Sequence, residues 1–167
     1  VKSMRELGFK EEIEEYGTTL EENAKIKAQF IYDLYTKSCF ADDTGLEIEA
    51  LDGSPGVYSA RYAGEECSYD DNCNKVLTNL VGETNRNARF RTVIHLIIDG
   101  IHHEFEGIIE GTITKDKRGD SGFGYDPIFL PNGSATTFAE MPINQKNEIS
   151  HRALAVEKLI QFLEELG

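Results

Sequence analysis

Two adjacent carboxylates, Asp42 and Asp43, open the tetrapeptide 42–45, directly after the apolar run 39–41. Loops that follow buried strands are where α/β proteins place their ligands. Two carboxylates at such a point can hold Mg²⁺ or activate a water molecule. Asp, Thr and Gly are also common turn formers. The spacing therefore leaves a catalytic site and a simple turn both open.

A second acidic group, with Glu14, Glu15, Glu21 and Glu22, lies before and within the first turn of a predicted helix. Carboxylates in these positions stabilise the positive end of a helix, which is sufficient to explain them. Any one of them can also complete a metal site with Asp43.

Arg61 stands between two tyrosines in the glycine-rich loop 53–64. Arginine with flanking aromatic rings can bind an anion or stack on a base. A solvated loop arginine explains the same pattern equally well.

The segment 122–129 contains Phe123, Gly124, Tyr125 and Asp126. Its glycines permit close backbone approach, and its two aromatic rings offer a stacking surface for a base. The alternative is the end of a hairpin with aromatic residues in the core.

Lys146, His151 and Arg152 lie near the start of the last predicted helix. Helix N-termini present free amides to anions, and the lysine and arginine add further donors. His151 and Arg152 are also suited to binding carbonyl oxygens of a base. Ordinary surface polarity at a helix start is the other explanation.

The elements that must position these groups alternate between helix and strand. Thr19 and Glu22 have capping-box spacing at the start of the first helix. The pattern as a whole indicates the α/β class with a mixed, twisted sheet. Helices are predicted over 19–37, 68–80 and 147–166, and strands over 39–41, 46–51, 90–98 and 101–114, with a hairpin turn at Asp99 and Gly100.

The 167 residues form one predicted domain, 1–167, with 30 acidic and 17 basic residues and a net charge of −13. Such a surface repels nucleic acid and anionic membranes, so an anionic ligand requires a divalent cation and a local basic cluster. The cysteine count is three, without Cys-x-x-Cys spacing. This argues against a disulfide framework or zinc site and favours a reducing cytoplasm.

In their order along the chain, these segments resemble the inosine triphosphate pyrophosphatases, or noncanonical purine nucleoside triphosphate pyrophosphatases. Each segment is modest alone, but the ordered set is specific and covers almost the whole chain. The matching segments are 19–24, 41–46, 55–62, 122–129, 139–141 and 146–152.

The resemblance implies an elongated two-lobed α/β fold, with a long twisted mixed sheet and a nucleotide cleft between the lobes. It also implies a Mg²⁺-dependent, cytoplasmic homodimer. The implied reaction converts the triphosphates of inosine (ITP), deoxyinosine (dITP) and xanthosine (XTP) to the monophosphate and pyrophosphate, and so removes them from the nucleotide pool. Which of these nucleotides is preferred stays open.

Residue by residue, Asp43 matches the family's catalytic base and metal position, and Glu15 matches a metal ligand. Glu22 is the alternative glutamate, and we expect the cation to lie between Asp42, Asp43 and Glu15. The resemblance implies substrate contacts at Thr44, at the segment Phe123–Gly124–Tyr125–Asp126, and at Lys146, His151 and Arg152. Together with Arg61, these are the predicted substrate-binding residues.

Nothing before Val1 matches the strand and Thr-Gly-Asn-x-x-Lys phosphate loop that open the family. We expect that the natural protein has an N-terminal segment that this sequence lacks. Two alternatives stay open: a Maf-type pyrophosphatase selective for other bases and, if the loop is truly absent, a catalytically silent nucleotide-binding module.

Overall fold

The sheet contains four strands, and each pairs with the next strand of the chain in antiparallel orientation. The computed structural model describes all of residues 1–167. Asp99 and Gly100 both have positive φ, 51° and 78°, as a tight two-residue hairpin requires. The hairpin prediction is therefore confirmed. The strands are β1 (Cys39–Ile48), β2 (Asn87–Ile98), β3 (Ile101–Ile113) and β4 (Phe129–Pro131).

The predicted break in the first strand is wrong. The chain continues through residues 42–45 as one strand, β1, and a short 3-10 helix follows at Glu49–Leu51. Asp42 pairs with Ile94 of β2, and Asp43 pairs with Val93. Ladder pairing thus outweighs the local turn preference of Asp, Thr and Gly.

The α/β class is confirmed, but every strand pairing in this chain is antiparallel rather than mixed. The β1 strand lies at one edge of the sheet, with β2 as its only strand neighbour. No helix is long and apolar enough to cross a membrane.

Side-chain caps define where the first two helices begin. The Thr19 hydroxyl accepts a hydrogen bond from the Glu22 amide, as predicted, while the Glu22 carboxylate accepts from Thr18. Ser68 and Asp71 form the complete reciprocal capping box of the second helix. These helices are α1 (Leu20–Tyr35) and α2 (Tyr69–Asn79).

The predicted last helix is two helices, α3 (Ile143–Ile149) and α4 (His151–Leu166). Ser150 separates them with extended backbone, and its hydroxyl accepts a hydrogen bond from the Ala153 amide. Ser150 therefore ends one helix and caps the next within the range predicted as a single helix.

Helices α1 and α4 cover opposite faces of the sheet. A Cβ at Gly45 would lie 3.2 Å from Leu20 Cδ2 of α1, whereas one at Gly107 would lie 2.0 Å from the His151 carbonyl oxygen of α4. Glycine is therefore required where the first turn of α4 rests on β3. The largest core cluster lies on the α4 side and includes Phe90, Phe129 and Phe138.

Arg91 ties α1 to the sheet. Its side chain is 11% exposed, and its guanidinium binds Glu21 of α1, Glu47 of β1 and Glu106 of β3. Arg89 also binds Glu47, at 2.7 Å. One buried cation thus joins three elements on the face that α1 covers.

Candidate active site

A lysine joins two carboxylates on the α1 face of β1. Lys27 Nζ lies 2.7 Å from Glu15 Oε1 and 3.3 Å from Asp43 Oδ1. The Lys27 and Asp43 side chains are only 18% and 13% exposed. The second oxygen of Asp43, Oδ2, is buried and has no hydrogen-bond partner. Because buried polar atoms are normally paired, this atom has free capacity for a ligand.

Burial and charge act in opposite directions on these groups. Burial raises the pKa of Asp43 above its usual value, and the Lys27 charge offsets this only in part. Burial alone would lower the pKa of Lys27, but its ion pairs with Glu15 and Asp43 raise it instead. Lys27 therefore stays protonated at neutral pH, as the charge that compensates the buried carboxylate.

Glu15 reaches this position because the chain passes close to α1 just after it. The Gly17 amide donates to the side-chain oxygen of buried Asn23, at 2.8 Å. A Cβ at Gly17 would lie 2.6 Å from that oxygen and 2.7 Å from Glu22 Cβ. Glycine at position 17 therefore lets the Glu15 segment lie against the first turn of α1.

Two predicted metal ligands lie outside this group. Asp42 points to the opposite face, because successive side chains of a strand alternate. The Glu22 carboxylate accepts a hydrogen bond from the Thr18 amide, at 2.6 Å. No three His, Cys, Asp or Glu side chains cluster closely enough to hold a metal ion. Of the four predicted metal ligands, the structure brings only Glu15 and Asp43 together, through Lys27.

A cavity of about 1210 Å³ opens beside these carboxylates. Its lining includes four basic and five acidic residues: Arg5, Lys10, Lys27 and Arg61, and Glu11, Glu12, Glu14, Glu15 and Glu65. Arg61 ends a 3-10 helix, Gly56–Arg61, and its guanidinium lies 5.3 Å from the Tyr58 ring centre. The structure thus places the predicted anion-binding arginine on the same side as Asp43.

Another group of predicted residues lies on the α4 face. Arg152 donates to Asp42 at 3.1 Å. Thr44 shares that face, and its hydroxyl lies 2.8 Å from that of fully buried Thr92. The His151 ring stacks on Phe90 with a centroid distance of 4.7 Å. Asp42 thus positions Arg152 beside the stacked histidine.

His151 is buried and uncharged. Burial lowers its pKa to about 3, and the charges of Arg152 and Lys146 act in the same direction. Its Nδ1 atom is buried without a hydrogen-bond partner. A neutral imidazole has one donor and one acceptor nitrogen, so His151 can bind a polar ligand without adding charge.

Asp126 and Lys146 form a buried ion pair next to this group. Lys146 Nζ lies 2.5 Å from Asp126 Oδ2, which also accepts from the Phe123 amide at 3.0 Å. The ammonium lies 4.5 Å from the Phe123 ring centre and 5.6 Å from that of Phe138. Phe123 is 56% exposed, so its ring has an open surface available for stacking.

The structure gives Tyr125 and Gly124 supporting positions. Tyr125 is buried, and its hydroxyl donates to the Ser59 carbonyl at 2.6 Å. The Gly124 carbonyl accepts from the Cys73 thiol. Tyr125 therefore presents no open ring to a base, contrary to the stacking prediction, and instead fastens segment 122–129 to the helix that ends at Arg61.

The two groups of residues meet at the edge strand. None of the α4 residues lines the cavity next to Asp43. Asp42 and Asp43 are nevertheless consecutive, with Cα atoms about 3.8 Å apart along β1. The two groups therefore lie on opposite faces of the same edge strand.

Lys27 was missed by the sequence reasoning. It lies within the apolar stripe of α1, three residues after Ala24 and seven after Leu20, both of which are buried. A lysine on the buried side of an amphipathic helix requires a partner charge. That irregularity in the pattern was a usable signal. Phe90, the stacking partner of His151, gave no signal in the sequence beyond its place in a predicted strand.

Comparison with known proteins gives one consistent result. The model of the Ham1 family matches residues 1–162. A dITP/XTP pyrophosphatase of Porphyromonas gingivalis is 54% identical over 164 residues, which cover 98% of this chain and 84% of that protein. One from Christiangramia forsetii is 50% identical over 161 residues, which cover 96% and 85%.

Solved structures agree with this result. The Ham1 protein of Staphylococcus aureus superposes with a TM-score of 0.94 at 42% identity, covering 98% of this chain and 86% of that one. A HAM1 protein of Coxiella burnetii gives a TM-score of 0.90 at 41% identity, covering 93% and 81%.

Proposed function

The chain belongs to the Ham1 family, and we propose that it hydrolyses dITP, XTP and ITP to the monophosphate and pyrophosphate. Relatives that share 50% and 54% sequence identity with it are named dITP/XTP pyrophosphatase. Within the chain, the arrangement that carries the proposal is Lys27 between Glu15 and Asp43, one strand residue from the Asp42–Arg152 pair.

The Glu15 and Asp43 carboxylates fit a Mg²⁺ ion. They already share one cation, and Asp43 Oδ2 is a buried oxygen without a partner. Mg²⁺ in phosphate-transfer sites is usually held by one or two carboxylates, with water and substrate oxygens completing the octahedron. Two protein ligands are therefore sufficient. When bound, the ion neutralises phosphate charge and polarises the phosphorus under attack.

Asp43 is the group proposed to orient and deprotonate the attacking water. One oxygen of its carboxylate, Oδ2, is buried without a hydrogen-bond partner, which leaves it available to accept a proton. Water adds to the α-phosphorus, and the bond to the bridging oxygen breaks to release pyrophosphate. Lys27 and Arg61 line the adjoining cavity and stabilise the negative charge that develops on the phosphates.

The base is proposed to bind on the α4 face. The Phe123 ring offers a stacking surface, and Arg152 and neutral His151 offer donors to the oxygen at position 6 of inosine or xanthine. Adenine carries an amino donor there and would leave buried donors unpaired. Such a mismatch costs about 1–3 kcal/mol for each buried group.

A cytoplasmic location and a homodimer are also part of the proposal. Three cysteines without a disulfide agree with a reducing compartment. The dimer rests on the family resemblance alone. Light scattering coupled to size-exclusion chromatography tests it, since a monomer has a mass of 18.7 kDa.

The activity is tested by measuring pyrophosphate release from XTP, dITP and ITP, with dATP and dGTP tested separately as comparison substrates. Each reaction is run with Mg²⁺ present and with Mg²⁺ removed by chelation. We expect release from the first three nucleotides only, and only with the metal. Equal turnover of dATP would contradict the proposed base selection. Turnover in chelator would contradict the proposed metal site.

A further inference from the structure

The Lys27 ammonium occupies the place between the two carboxylates that are proposed to hold the metal. Its distances to Glu15 Oε1 and Asp43 Oδ1 are 2.7 and 3.3 Å. A Mg²⁺ ion bound to the same oxygens would lie about 2.0–2.1 Å from each. The ammonium and the ion are therefore alternatives for the same pair of oxygens.

Charge balance leads to the same result. Glu15 and Asp43 carry two negative charges, and the ammonium neutralises one of them. Adding a divalent ion while the ammonium stays would place two like charges within a few ångströms in a largely buried setting. At an effective dielectric constant of about 20, charges about 4 Å apart repel strongly.

Lys27 has somewhere to go when it leaves the carboxylates. Its side chain lines the open cavity that Arg61 also lines. The flexible stem of a lysine allows its ammonium to swing into that space while α1 stays in place. Asp43 Oδ2 meanwhile has no hydrogen-bond partner.

We propose that Lys27 is a built-in competitor for the metal: it holds the Glu15–Asp43 pair in the metal-free protein and is displaced into the cavity when a divalent cation binds. This rests on the proposed metal site. The displaced ammonium adds positive charge to the cavity only after the metal has bound. Cation loading and preparation of the anion-binding cavity are thus one event.

The test is Mn²⁺ binding to nucleotide-free protein, followed by electron paramagnetic resonance, because Mn²⁺ prefers the same oxygen ligands as Mg²⁺. We expect Lys27→Met to bind Mn²⁺ roughly tenfold more tightly than the unaltered protein, because the cation no longer has to displace the ammonium from Glu15 and Asp43. Lys27→Arg keeps the charge and should not show this gain.

Lys25→Met is the matched control, because Lys25 lies on the same helix, is exposed and forms no ion pair. Its Mn²⁺ affinity should equal that of the unaltered protein. Three outcomes would overturn the proposal. Lys27→Met could bind Mn²⁺ no more tightly than the unaltered protein, Lys25→Met could show the same gain in affinity, or no variant could bind Mn²⁺ at all. None of these readouts involves catalysis, so hydrolysis of XTP tests the proposed function separately.

A second measurement needs no substitution and so does not depend on how Lys27→Met folds. In protein labelled with ¹⁵N-lysine, the ammonium held by Glu15 and Asp43 gives a protected Nζ signal. Adding Mg²⁺ should shift or broaden this signal, while NaCl at matched ionic strength should not. A Lys27 signal unchanged at saturating Mg²⁺ would contradict displacement.

Discussion

Asp42 and Asp43 are consecutive residues of β1, yet their carboxylates lie on opposite faces of the sheet, where Asp42 binds Arg152 and Asp43 binds Lys27. The two acids therefore have different partners and different proposed tasks. Asp42 is proposed to position a donor for the base, and Asp43 is proposed to hold the metal and the attacking water.

Replacing each aspartate in turn separates these tasks. We expect Asp43→Asn to lower kcat by at least about a hundredfold, because a positioned general base contributes on that order. Asp42→Asn should instead raise KM for XTP a few-fold at similar kcat, because an exposed ion pair contributes little energy. Steady-state pyrophosphate release measures both. A loss of Mg²⁺ dependence in Asp42→Asn would contradict the assignment.

Burial of His151 should make stability fall in acid. Its pKa is about 3 in the folded chain, below the ordinary 6.5. The unfolded chain therefore takes up the proton first as pH falls, so the folded state loses stability progressively from about pH 6.5 down to about pH 3. Between pH 7 and pH 5 this single group accounts for about 2 kcal/mol.

The variant His151→Phe keeps the aromatic stack on Phe90 and removes the titrating group. Urea unfolding at pH 7 and pH 5 should show a smaller loss of stability for this variant than for the unaltered chain. An identical pH dependence for both proteins would mean that His151 is not held neutral in the folded state.

Arg91 should be important for stability. Its guanidinium is largely buried with carboxylates from α1, β1 and β3, so Arg91→Met leaves those acids without their common partner. We expect a loss of about 2–4 kcal/mol, below the upper range for buried pairs because Glu21 and Glu106 are partly exposed. Arg89→Met is the control, because the Arg89 side chain is 43% exposed. This substitution should lower the free energy of unfolding by less than about 1 kcal/mol.

Urea unfolding monitored by circular dichroism gives both values. Equal losses in the two variants would contradict a special role for Arg91.

The buried Asp126–Lys146 pair should show strong coupling. Removing only the lysine, in Lys146→Met, leaves a carboxylate that is 4% exposed without its cation and should cost about 3 kcal/mol. The double variant Asp126→Asn with Lys146→Met should recover much of that loss. A double-mutant cycle of unfolding free energies measures the coupling, and purely additive losses would count against the pair.

Periodicity and capping residues were sufficient to predict much of the fold. The Thr19 and Ser68 caps and the Asp99–Gly100 hairpin follow from short-range chemistry, and all three are present. One missed feature depends on contacts distant in sequence, because pairing with β2 extends β1 through a turn-like tetrapeptide. The other, the Ser150 break, is a local cap on the Ala153 amide that the sequence reasoning did not use.

The residue types of the candidate site were predictable from the sequence, but the face of the sheet on which each residue lies was not. Asp43 and Glu15 do meet, through a lysine that the sequence reasoning passed over. Separation of Asp42 from Asp43 follows from alternation along a strand, but only once residues 42–45 are known to be strand rather than turn. The error in the element thus explains why Asp42 was expected beside Asp43.

Alternation along β1 also makes strand register a condition for the proposed catalysis. A shift of one residue in the pairing of β1 with β2 would turn each side chain to the other face, exchanging Asp42 and Asp43. The chemical composition of the strand would be unchanged, but the acid facing Lys27 would come from a different position, and Gly45 would no longer lie beneath Leu20. Single-residue insertions or deletions between residues 39 and 44 should therefore be far more harmful than substitutions there.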